Sequence, residues 1–101
     1  MKEIKIDIKK EQYSNIYFAG KLTALAGSHK YRNAEIILKT VSENDVVQTV
    51  DAKTFLATTA LLTVNAKNVD ELVFEIRGED ENIDAVEFKK DVLNIIKESQ
   101  N

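Results

Sequence analysis

The chain has 101 residues, 44% hydrophobic and 31% charged, with a formal net charge of −3 at neutral pH. That is the make-up of a folded domain able to bury most of a small core, and its acidic balance argues against a phosphate-tracking nucleic-acid binder. With no cysteine and one histidine, disulfides, iron–sulfur clusters and thiolate zinc sites are excluded, and little is left for histidine-based metal or triad chemistry.

Ile4, Ile6 and Ile8 alternate with Lys5 and Asp7, the period of a half-buried strand. Over residues 14–30 the period changes. Phe18, Ala19, Leu22, Thr23, Leu25 and Ala26 fall on one broad face of a helix, with Ser14 or Asn15 as cap and Gly27 near its end. Residues 34–40 are apolar and β-branched, a second strand. Ser42-Glu43-Asn44-Asp45 is a turn by composition, and Val46, Val47, Thr49 and Val50 complete a hairpin. Residues 52–66 fit a helix or a strand about equally well. A short helix from Lys53 to Leu61, capped by Asp51, is the expectation taken. Leu72, Phe74 and Ile76 mark a fourth strand ended by Gly78. A last helix spans residues 80–98, with Ala85, Phe88, Val92, Ile95 and Ile96 on its inner face and Asp80 or Asn82 as cap. The order β-α-β-β-α-β-α with one-sided helices implies an α+β open-faced sandwich, three helices covering one face of a four-stranded antiparallel sheet.

No stretch approaches the ~18–20 consecutive apolar residues of a membrane span. The opening MKEIKIDIKK lacks the apolar region of a signal peptide, so a cytoplasmic location is expected. Charge is uneven along the chain. Residues 1–42 carry a net +4 and residues 43–101 a net −7. Opposed faces that steer partners would produce this, but plain solvation of outer faces accounts for it more simply.

Candidate chemistry is sparse. His29 lies beside Lys30 and near Arg32, off the apolar stripe, and reads as a solvated residue. Glu79, Asp80, Glu81 and Asp84 lack the alternating ligands and central glycine of a calcium loop, and suit a helix start instead. Ser14, Ser28, Ser42 and Ser99 have no histidine–acid set to activate them. No metal site and no cofactor is expected. Tyr17-Phe18 and Phe55-Leu56 are adjacent pairs on expected helices, about 100° apart, so one member of each is hard to bury.

Several local runs together resemble HPr, the histidine-containing phosphocarrier of the bacterial sugar phosphotransferase system. The likeness spans residues 3–97, so residues 1–101 read as a single HPr-like domain. The stretch from Asn15 to Leu25 resembles the family's G-[IL]-H-A-R-P-A helix start. Asn33-Ala34-Glu35-Ile36-Ile37-Leu38 resembles its next strand, and Val50-Asp51-Ala52-Lys53-Thr54-Phe55-Leu56-Ala57 resembles its [VL]-x-[AG]-[KR]-S-[IL]-[ML]-[GA] run. Ala66-Lys67-Asn68 resembles a family turn, and Gly78-Glu79-Asp80-Glu81-Asn82 the start of its last helix.

The departures from the family pattern fall on its chemistry. The phosphoacceptor histidine falls on Phe18 and the assisting arginine on Gly20, while residues 15–21 contain no histidine at all. A phenyl ring cannot accept a phosphoryl group. The family's regulatory serine, phosphorylated by a kinase in many Gram-positive relatives, falls on Thr54. Threonine keeps a hydroxyl but is also a good helix cap. The resemblance therefore implies a non-enzymatic protein that has lost phosphocarrier activity and binds an unidentified protein partner of sugar transport or carbon regulation. Its contact surface would centre on Phe18, Phe55 and Leu56, which are expected to be exposed, whereas Phe88 is expected inside. The alternatives are a regulator phosphorylated on Thr54, or an assembly subunit joined by strand edges.

Overall fold

The computed structural model describes residues 2–8, 15–54, 69–78 and 83–100. Among these residues there are six elements: β1 (Lys2–Asp7), α1 (Asn15–Ala26), β2 (Glu35–Ser42), β3 (Asp45–Asp51), β4 (Glu71–Arg77) and α2 (Ala85–Glu98). The strands form one antiparallel sheet in the order β1-β4-β2-β3. β4, last in sequence, therefore sits between β1 and β2. The second expected helix falls almost wholly on residues 55–68, outside those described, so two of the three expected helices are seen.

Alternation decides which side of each strand is covered. Ile4, Ile6 and Ile8 of the first strand and its extension, Ile36 and Leu38 of β2, and Leu72, Phe74 and Ile76 of β4 all point to one side and are buried. Against them lie Phe18, Ala19, Leu22 and Ala26 from α1, and Phe88, Val92, Ile95 and Ile96 from α2. Phe88 meets Phe74 edge-on at 5.1 Å and Tyr31 at 5.2 Å, a favoured aromatic geometry. Val50 and Ala52 extend this core along β3.

The β2–β3 hairpin closes on Glu43 and Asn44, whose φ angles of 50° and 70° form a primed two-residue turn. A register shift follows at once, between Thr40 and Val41, so β3 carries an irregularity near Val46 and Val47. Gly78, φ 99°, ends β4 in a backbone conformation that side chains disfavour.

α1 is shorter than its sequence pattern, ending at Ala26. The next residues turn repeatedly, through Ser28 N–H to the Leu25 carbonyl and Tyr31 N–H to the Ser28 carbonyl. α2 starts later than expected. Its cap is Asp84, not Asp80 or Asn82, and the Asp84 carboxylate accepts from the N–H groups of Val86 and Glu87. The physical reason is that a short side chain beside the first turn can reach donors the helix leaves unpaired. The expectation for Phe88 holds. That for Phe18 does not, because Phe18 is 2% exposed and belongs to the core.

Candidate functional site

The resemblance directs attention to the start of α1 and to the turn after β3. In α1, Phe18, Leu22 and Ala26 recur every four residues and face the sheet. Tyr17, about 100° away, faces out and is 43% exposed. Lys21 lies one turn on, its ammonium 5.5 Å from the Tyr17 ring centroid, within cation–π range. The outer surface here is thus a tyrosine and a lysine, and the phenylalanine is inside. Of the Tyr17-Phe18 pair one member is exposed, as the helical angle requires, but it is not the one expected at the contact surface. Gly20 is half-buried, and a Cβ built there meets no atom within 4 Å.

The turn after β3 is organised by Asp51. Its carboxylate accepts from the Lys53 N–H at 2.8 Å, and its carbonyl accepts from the Thr54 N–H at 3.2 Å. Ala52 is fully buried and its N–H donates to the Ile36 carbonyl. The Lys53 ammonium donates to the carbonyls of Arg32 and Ala34, tying this turn to the chain entering β2. Thr23 of α1 donates to the Ala52 carbonyl at 3.4 Å, a long bond that joins α1 to the same turn. Thr54 is exposed, and its hydroxyl reaches the Asp51 carbonyl at 3.4 Å. Phe55 and Leu56 lie outside the described residues.

His29 is exposed in the turns after α1. It lines an open groove with Leu25, Ser28, Asn94, Ile95 and Glu98. The nearby charges are engaged with each other. Lys30 pairs with Glu87 and Asp91, and Asp91 also accepts from the Tyr31 hydroxyl at 2.7 Å. Burial, with that carboxylate acceptor second, holds the Tyr31 phenol protonated well above the ordinary phenol range. Among the described residues no set of three or more histidine and carboxylate side chains is placed to hold a metal ion.

A second polar constellation leaves no signal in the local sequence pattern. On the sheet face away from the helices, the Glu75 side chain is only 3% exposed, between Lys39 and Arg77. Arg77 Nη2 lies 2.9 Å from Glu75 Oε2, and Arg77 Nη1 lies 3.7 Å from Glu35. Lys39, then Arg77, lowers the Glu75 carboxyl below its ordinary value. Strand alternation alone reads Glu75 as a solvated outward residue. Only the register, with Lys39 opposite Val73 and so diagonal to Glu75, brings its cover over it.

No described helix is long and apolar enough to cross a membrane. No protein-family model and no curated protein matches the chain. Among solved structures it is similar to that of HPr-C-His from Thermoanaerobacter tengcongensis, at 18% sequence identity and a TM-score of 0.47, over 98% of this chain and 94% of that one.

Proposed function

We propose that this chain is a non-enzymatic, HPr-like interaction protein that has lost phosphohistidine carriage and acts by binding a protein partner. The observation that supports this reading is the arrangement at the start of α1. The position matching the acceptor histidine is Phe18, buried in the core, while the neighbouring Tyr17 stands outside with Lys21 over its ring. The surface offered to a partner is then aromatic and cationic, centred on Tyr17 and Lys21 in place of Phe18. Phe55 and Leu56 are expected to complete it. Aromatic residues with a polar tip are favoured anchors at protein interfaces.

The test is direct. Incubated with the first enzyme of the phosphotransferase system and labelled phosphoenolpyruvate, the chain takes up no acid-labile label. Label on His29, or anywhere else, overturns the reading. A photo-crosslinker placed at Tyr17 captures a discrete host protein, whereas the same group at Lys97 does not.

A second reading is favoured by the exposure of Thr54. The residue is exposed and its hydroxyl makes a long bond, 3.4 Å, to the Asp51 carbonyl, which supports access by a kinase. Phosphorylation there adds about −1.5 to −2 charge. This regulator reading expects one acid-stable phosphate from the host kinase with ATP, abolished in Thr54→Ala. No incorporation, under conditions that modify a genuine HPr, removes it.

A further inference from the structure

Among the described residues the exposed large apolar side chains, Tyr17 aside, form two couples with opposite surroundings. Val46 and Val47, 55% and 47% exposed, follow the hairpin turn at one end of the sheet. Val86 and Leu93, 78% and 41% exposed, lie on the outer side of α2. A lone exposed apolar side chain needs no explanation, whereas apolar groups inside a charged rim mark interaction surfaces.

The rim of the first couple is acidic. Glu43 and Asp45 are exposed beside the valines. The concavity next to the turn is lined by Asp7, Val41, Glu43, Asn44, Asp70 and Glu71, with no base among them. The rim of the second couple is basic. At about 100° per residue, Val86, Lys89, Lys90, Leu93 and Lys97 fall within about 100° of arc, and all five are exposed. The acids of α2 fall on another flank, where Lys30 takes Glu87 and Asp91. Lys89, Lys90 and Lys97 therefore have no ion pair among the described residues, and neither have Glu43 and Asp45. Residues 43–101, net −7 as a segment, thus fold into an acidic sheet end and a basic helix face.

We infer that the outer face of α2 docks on the hairpin end of a second copy of this chain. The valines seat on Leu93 among the three lysines, with Val86 at the margin, and Glu43 and Asp45 meet the lysines around them. Both halves of the contact are carried by one chain, apolar centre to apolar centre and acid to base. Setting either surface against its own kind opposes lysines to lysines or carboxylates to carboxylates, which is costly. A lipid surface fits α2 less well, because the wide apolar face of the helix is already buried in the core and only two side chains remain to insert. The two surfaces differ, so the contact is head-to-tail and leaves one of each unused at the ends of a growing assembly. With so few apolar groups it is weak and transient. This inference is independent of what binds at the start of α1.

Light scattering of the full chain, with concentration raised into the millimolar range at low salt, tests it. The mass of the parent climbs from 11.4 kDa past about twice that value. One variant carries Lys90→Glu and Lys97→Glu, another Glu43→Lys and Asp45→Lys. Each alone associates about tenfold or more weakly than the parent. Mixed in equal amounts they assemble again, because each offers what the other lacks. A chain with all four substitutions keeps the parent's net charge and associates like the parent. Leu93→Ala weakens association without any change of charge. Circular dichroism of every variant shows the parent fold, since all these side chains are exposed and unpaired. A photo-crosslinker at Lys97 joins two copies of the chain, at residues 43–47 of the second. A parent that stays at 11.4 kDa throughout overturns the inference. So does association that either charge variant leaves unchanged, or a mixture that associates no better than its components. Uptake of the parent onto phosphatidylserine vesicles, lost in the Lys90 and Lys97 variant while the free chain stays monomeric, overturns it in favour of a lipid surface.

Discussion

The two faces of the sheet bury side chains by different means. On one face α1 and α2 cover Ile4, Ile6, Ile36, Leu38, Leu72, Phe74 and Ile76 with Phe18, Leu22, Phe88 and Val92, an apolar cluster. On the other, no described helix lies over the sheet, yet Glu75 and Val73 are 3% and 7% exposed. Glu75 is held between the long side chains of Lys39 and Arg77, set on β2 and on β4 itself. A helix cover demands hydrocarbon, because it expels water and brings no partner for a charge. A cover of lysine and arginine tolerates a carboxylate, because it supplies the opposite charge and the donors.

That contrast can be broken first where it is largest. Phe88→Ala and Phe18→Ala each remove a fully packed ring from the helix-covered side and are expected to cost about 3–5 kcal/mol in denaturant unfolding. A small loss at Phe18 would put it outside the core and return it to the contact surface. Val73→Ala, under the side-chain layer, is expected to cost less, about 1–2 kcal/mol. A loss as large as that at Phe88 would show the open face to be as tightly packed as the other.

Glu75 sharpens the comparison through pH. Its folded-state value lies below the ordinary 4.5 because of Lys39 first and Arg77 second. The stabilisation is therefore present above 4.5 and is lost as pH falls through the lowered folded value. Urea unfolding at a series of acid pH values is expected to show a decline in that window, and Glu75→Gln is expected to flatten it. An unchanged slope would mean that the three side chains do not hold together in solution. The smallest effect is expected at Tyr17. Tyr17→Ala changes stability by about 0.5 kcal/mol or less while removing the proposed contact, so a large loss there would make Tyr17 structural.

Much of the architecture was legible from short-range pattern. The alternation of Ile4, Ile6 and Ile8 marks β1, and the spacing of Phe88, Val92, Ile95 and Ile96 marks the inner face of α2. Ser42-Glu43-Asn44-Asp45 marks the hairpin. The start of α2 lies later than the acidic run suggests, although its signal is there: Asp84 precedes Glu87 by three residues, the spacing of a helix-start box. A run of acids just before it offered several caps of equal chemistry, and only geometry chose among them. At the candidate site the helical angle showed that Tyr17 and Phe18 cannot both be buried. Which turns inward depends on what α1 packs against, and no local pattern contains that.

By itself the sequence determined the elements and the apolar stripe of each, because helix and strand periods are set within a few residues of the chain. Tertiary structure alone decided the neighbours. Inserting β4 between β1 and β2 sets Lys39 beside Glu75, and the path of the chain after α1 sets Lys30 beside Glu87 and Asp91. The basic first part of the chain and the acidic remainder, well separated in sequence, are thereby interleaved at these pairs. Strand order and register, fixed by the joint burial of all the apolar stripes, determine which charges meet across the sheet, and that is a property of no single segment.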